Sequence, residues 1–145
     1  MSLFSLLSVS ASGMAAQRTR AELLVENLAN AETTRTPEGG PYRRKDAVFT
    51  SQPVTSEFSS VFSSVARTPS TGVAVSEIVI DARDPEKRYQ PGHPDADADG
   101  YVAFPRVSPA EDMVDLLGAA RGYQANVAAI TAVKDMIQRS IDLLR

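Results

Sequence analysis

The chain has 145 residues, about the length of one domain, and its 43% apolar and 23% charged residues exclude wholesale disorder. A net charge of -3 argues against a protein that grips nucleic-acid phosphates. The absence of cysteine excludes disulfides, thiolate metal sites and cysteine nucleophiles, and His93 is the single imidazole.

Proline placement organises the chain. All nine prolines lie between Pro37 and Pro109, so both ends are free to be long helices and the middle is not. The first residues, Met1 to Val9, resemble a signal peptide only weakly: they lack a basic start, serines interrupt the apolar run, and the apolar pattern continues beyond any cleavage site. They read as part of a mature helix with no cleaved signal. No run approaches the ~20 apolar residues that span a bilayer, so direct membrane insertion is not expected.

The first proline-free end carries a seam at alternating spacings of three and four: Phe4, Leu7, Ala11, Met14, Arg18, Ala21, Val25 and Leu28, apolar except at Arg18. That 3.5-residue repeat predicts a helix from Ser2 to about Ala31, with a stripe suited to a partner helix. The next segment, from Thr33 to Lys45, is rich in Thr, Gly and Pro and closes on Tyr42, Arg43, Arg44 and Lys45. It reads as an extended basic linker or docking strap rather than a packed element.

The middle predicts short strands at Val48-Phe49, Val73–Val75, Ile78–Ile80 and Tyr101–Phe104, separated by Ser/Thr/Pro-rich turns, with Phe58–Phe62 ambiguous. Asp95-Ala96-Asp97-Ala98-Asp99-Gly100 imitates the first half of a calcium loop. Position 12 of that loop falls on Arg106, a cation where a bidentate carboxylate is needed, so an acidic turn is expected there, with His93 facing solvent beside it.

The last end predicts the longer helix. Ser108 is its N-cap, Pro109 its first residue, and Glu111 sits three after the cap. Its seam is Met113, Leu116, Ala120, Tyr123, Val127, Ile130, Lys134, Ile137, Ile141 and Leu144, apolar except at Lys134. Val114, Leu117, Val133, Met136 and Leu143 flank the seam and widen it beyond what one helix of about 30 residues covers. Pattern alone leaves two arrangements open: a closed helical hairpin acting as an autonomous protein-binding module, and self-assembly through the stripes. The residues form no phosphate loop, nucleophile elbow or metalloprotease motif, and no carboxylate sits in an apolar run that would raise its pKa. Neither an enzyme nor a cofactor is expected.

Several stretches carry a resemblance. Ser12-Gly13-Met14-Ala15-Ala16-Gln17-Arg18, with Glu26-Asn27-Leu28-Ala29-Asn30-Ala31-Glu32-Thr33-Thr34, is similar to the N-terminal signature of bacterial flagellar rod and hook axial proteins. The Thr36–Lys45 stretch, Pro91–Val102, and Met113-Val114 with Arg121-Gly122-Tyr123-Gln124-Ala125-Asn126-Val127 narrow the likeness to proximal-rod members. Glu32 stands where this family commonly carries Asn.

The resemblance implies a structural subunit of the basal-body rod, exported uncleaved through the flagellar type III apparatus. Its implied partners are itself, other rod subunits, the inner-membrane ring or rod-adapter proteins, and the export apparatus. The apolar seams would be the assembly interface, torque transmission the mechanism, and the periplasmic rod the location. The expected fold is α+β. It comprises an N-terminal helix (1–32), a basic linker (33–45), a small β-rich insert (46–107) and a C-terminal helix (108–145).

Overall fold

Free of proline, the two ends form the long helices: α1, Leu3–Ala29, and α2, Pro109–Asp142. Between them lie β1 (Lys45–Pro53), β2 (Thr71–Ile80), β3 (Glu86–Tyr89) and β4 (Tyr101–Phe104). The fold is therefore α+β. The computed structural model describes residues 3–53 and 71–143, with side chains from Ser5 onward. The Phe58–Phe62 run, the Phe4 side chain and Leu144 lie outside the described residues.

Local chemistry accounts for the helix ends. Asn30, rather than position 32, closes α1: its backbone N–H and its side-chain amide both donate to the Glu26 carbonyl, at 3.1 and 2.9 Å. Helix α2 starts on the Ser108-Pro109 pair, and Asp112 N–H donates to the Ser108 carbonyl at 3.0 Å. Glu111 and Asp112 place negative charge in its first turn, where the helix dipole favours it.

The strands make two small ribbons, β1 with β2 and β3 with β4. The runs Val73–Val75 and Ile78–Ile80 belong to one continuous strand, because Ser76-Glu77 between them carries no breaker. Strand β3, Glu-Lys-Arg-Tyr, has no apolar alternation and was not expected from the sequence. It pairs antiparallel to β4, with Glu86 opposite Phe104 and Tyr89 opposite Tyr101. Gly100 closes the loop between them at φ +81°. A Cβ there would also come within 3.0 Å of the Tyr89 ring, so glycine suits the position twice over.

The described residues fall into two compact units. Of the described residues, the first draws on 3–19, 49–53, 71–76 and 119–143; the second comprises Arg20–Val48 and Glu77–Gly118. The first buries Ala16, Ala119 and Val133. The second buries Leu23, Leu24, Val102, Phe104 and Val107, with Asn27 and Asp112 as its buried polar groups. In the second unit Arg88 lies over the Phe104 ring at 4.9 Å, and His93 meets the same ring edge-on at 6.2 Å. His93 is thus half-buried rather than facing solvent, and its Nδ1 accepts the Asp95 N–H at 3.1 Å.

Candidate assembly interface

In the first unit, the two helices approach through small residues. A Cβ on Gly13 would stand 2.9 Å from Asn126 Oδ1, and one on Gly122 would stand 3.2 Å from Gln17 Cδ. The two contacts run in opposite directions along the chain, so these stretches are antiparallel. Each helix offers a glycine and, four residues later, an amide: Gly13 with Gln17, and Gly122 with Asn126. Each amide occupies the space left by the other helix's glycine. Asn126 Nδ2 also donates to the Gly122 carbonyl at 2.9 Å, which fixes that side chain. Gln17 Oε1 is buried there without a hydrogen-bond partner. Strand β2 joins α1 through Ser12, whose Oγ accepts the Val73 N–H at 3.0 Å and donates to the Val9 carbonyl at 2.7 Å.

In the second unit, Asn27 is a hub with 0% exposure. Its side chain bonds both backbone groups of Lys45, Nδ2 donating to the carbonyl and Oδ1 accepting the N–H, each at 2.9 Å. Oδ1 also accepts the Tyr42 hydroxyl at 2.8 Å. The end of helix α1 therefore holds the start of β1 much as a neighbouring strand would. Burial, reinforced by the Glu26 carboxylate, pushes the Tyr42 phenol up to about 12.

The strap is accordingly a packed element, contrary to the sequence expectation, and the cause is a tertiary partner that its composition does not reveal. Tyr42 is buried, Lys45 pairs with Glu26, and Arg44 reaches Asp112 at 3.0 Å and Asp46 at 3.1 Å. Arg43 remains exposed, donating from Nη1 to the Asp81 carbonyl at 3.1 Å. The strap's first half is held by Asp95, which accepts from Thr34 Oγ1 at 2.8 Å and pairs with Arg35 at 2.6 Å. Asp97 Oδ1 accepts the N–H groups of Asp99 and Tyr101, so the acidic segment is a side-chain-capped turn. Among the described residues no three His, Asp or Glu side chains gather as a metal site.

Asp112, 1% exposed, has its carboxyl raised above the ordinary range, because burial outweighs the attraction of Arg44. On the same helix face Asp115 pairs with Arg20 at 3.1 Å.

The described seam residues are mostly exposed on α2 and mostly half-buried on α1. On α2, Met113, Ala120, Tyr123, Val127 and Ile141 are exposed, whereas Leu116, Ile130 and Ile137 are half-buried. On α1, Ala11 and Val25 are exposed and Leu7, Met14, Ala21 and Leu28 are half-buried. The intrachain contacts use a different line. On α2 it runs through Asp112, Ala119, Gly122, Asn126 and Val133, and on α1 through Gly13, Ala16, Gln17, Leu23, Leu24 and Asn27. Sequence reasoning missed that line, although the repeated glycine-to-amide spacing of four was a signal for it. Beside the open seam of α2, Val114, Leu117, Met136 and Leu143 are exposed as well. Among the described residues, an apolar band on α2 thus stays in water.

No described helix is long and apolar enough to cross a membrane. The family model for the C-terminal part of flagellar basal body rod FlgEFG proteins matches residues 98–143, which include all of α2. The flagellar basal-body rod protein FlgC of Bacillus subtilis is 41% identical to this chain, covering 99% of each sequence. That of Borreliella burgdorferi is 36% identical, covering 100% of this chain and 99% of its own. That of Salmonella typhimurium is also 36% identical, covering 99% and 98%. With such identity over essentially its whole length, the chain belongs to the FlgC family of flagellar basal-body rod proteins.

Proposed function

We propose that this chain, a structural subunit of the flagellar basal-body rod, polymerises through the open faces of α1 and α2 and transmits torque through the packed helices. It catalyses no reaction. The observation that carries the reading is the double use of α2. A small-residue line packs within the chain, while Met113, Tyr123, Val127 and Ile141 remain exposed beside it. Burying such an apolar band against neighbouring helices is worth about 25 cal/mol per Å² and favours assembly over isolation. The partners are further copies of the chain, other rod subunits and the inner-membrane ring or its adapter proteins. The rod lies in the periplasm, and the chain reaches it through the flagellar export apparatus without loss of a signal.

Val127→Asp tests this reading. Val127 is 42% exposed, so a carboxylate there leaves the isolated chain folded, but within a helix–helix seam it becomes a buried unpaired charge. Rod incorporation should fall below detection in cells, while circular dichroism of the purified variant matches wild type. Normal incorporation would overturn the proposal.

The antiparallel contact of Gly13 with Asn126 and Gln17 with Gly122 favours a second reading, an autonomous helical-hairpin binding module. On that reading the open band serves an unrelated partner, and Val127→Asp leaves the rod intact.

A further inference from the structure

A shallow concavity in the second unit is ringed by arginines. Arg43 and Arg44 come from the strap, Asp81 and Arg83 from the connection after β2, and Pro105 and Arg106 from the residues after β4. Asp81 gathers them. Arg83 Nε donates to both of its carboxylate oxygens at 2.9 Å, Arg43 donates to its carbonyl, and Arg106 attracts it through space. The hydrogen bonds from Arg83 hold the Asp81 carboxyl down to about 2, so it stays an anion under any physiological condition. Arg44 is already committed to Asp112 and Asp46. Arg43, Arg83 and Arg106 are exposed around the Asp81 carboxylate, each with five N–H donors, and the Asp46 carboxylate also acts on Arg83. Arg43, Arg44, Arg83 and Arg106 set against Asp81, Asp46 and Asp112 leave one positive charge in excess among these groups, on a chain whose net charge is -3.

The geometry points to a docking site for a carboxylate side chain on an acidic segment of a neighbouring protein, gripped by Arg43 and Arg106 beside the Arg83–Asp81 pair. Guanidinium forks match carboxylates in paired N–H···O bonds, and Asp81 aligns the forks in advance. The concavity is shallow and open, so it meets a partner's side chain at the surface rather than enclosing a ligand. The site uses the strap and the loops beside the ribbons, so it goes beyond assembly through the helix seams.

The test is calorimetric titration of the full-length chain with an acetylated hexaglutamate peptide at low and moderate salt. Binding is expected, weakening several-fold with added salt. The Arg43→Ser/Arg106→Ser double variant should bind about tenfold more weakly, and thermal unfolding establishes that it is folded. Arg139→Ser, on α2, should bind as wild type. Val127→Asp should also bind as wild type, which separates this site from the helix face. No binding by the wild-type chain, or equal binding by the double variant, overturns the proposal. So does tighter binding of inorganic phosphate or of phosphatidylglycerol vesicles than of the peptide.

Discussion

Single side chains decide how the second unit closes, and Asn27 decides most. It satisfies the N–H and carbonyl of Lys45 and the Tyr42 hydroxyl, all with one buried amide. Asn27→Ala leaves those groups short of partners and should cost about 3 kcal/mol in urea unfolding, whereas Tyr42→Phe removes one bond and should cost about 1 kcal/mol. Equal effects would mean that water replaces the amide. Asp112 makes a prediction of opposite sense to an ordinary paired carboxylate. Its folded-state pKa is raised above 3.8, so the folded chain holds the proton more tightly than the unfolded chain. The stability from that proton is present below pH 3.8 and is lost as pH rises through the folded value. Wild type should therefore lose stability relative to Asp112→Asn as pH rises from 3.8 toward neutrality. The opposite slope would show that Arg44 outweighs burial. Tyr42 behaves likewise at the alkaline end. With its phenol at about 12 against the ordinary 10.0, stability should fall between those values.

At the scale of elements, helix α2 carries glycines with different work. A Cβ on Gly118 would meet nothing within 4 Å, whereas one on Gly122 would meet Gln17 at 3.2 Å. Gly118→Ala should stabilise the chain by about 1 kcal/mol through helix propensity alone. Gly122→Val should destabilise it by about 1–3 kcal/mol, because its branches displace Gln17 from the helix contact. Thermal unfolding of both variants checks the contrast, and similar shifts would deny Gly122 its packing role. The ends of the elements were legible in sequence because they obey local rules. The proline map bounded the helices, Ser108-Pro109 opened α2, and Tyr101–Phe104 had the composition of a strand. The face that each helix turns inward was not legible. On α2 the small residues Ala119 and Gly122 lie one position from Ala120 and Tyr123, so a heptad fits either phase. What selects the inner one is the reciprocal fit of Gln17 and Asn126, which depends on both ends at once. Strand β3 was hidden for a related reason: Glu86–Tyr89 is exposed throughout and draws its order from pairing with β4.

For the whole molecule, the distribution of burial along the helices sets where stability is concentrated. Among the described residues of α1, none is buried before Ala16, and Leu23, Leu24 and Asn27 follow toward its end. On α2 the order is reversed: Asp112 and Ala119 are buried early, and after Asn126 only Val133 is buried. The far part of α2 keeps Met136 and Ile141 in water and buries few of its described side chains, and Leu143 just after it is exposed as well. Long helices owe most of their stability to packing of an apolar face, so poorly packed turns open at small free-energy cost. Peptide-resolved hydrogen exchange on the dilute chain should therefore show protection rising from Ser5 to Asn27 and falling from Asp112 to Asp142. In the assembled rod the fall along α2 should vanish, because neighbouring helices supply the missing contacts. Uniform, strong protection of both helices in the dilute chain would mean that the intrachain contacts suffice, and would favour the autonomous hairpin. A gradient that persists unchanged in the rod would deny the open band of α2 its place in assembly.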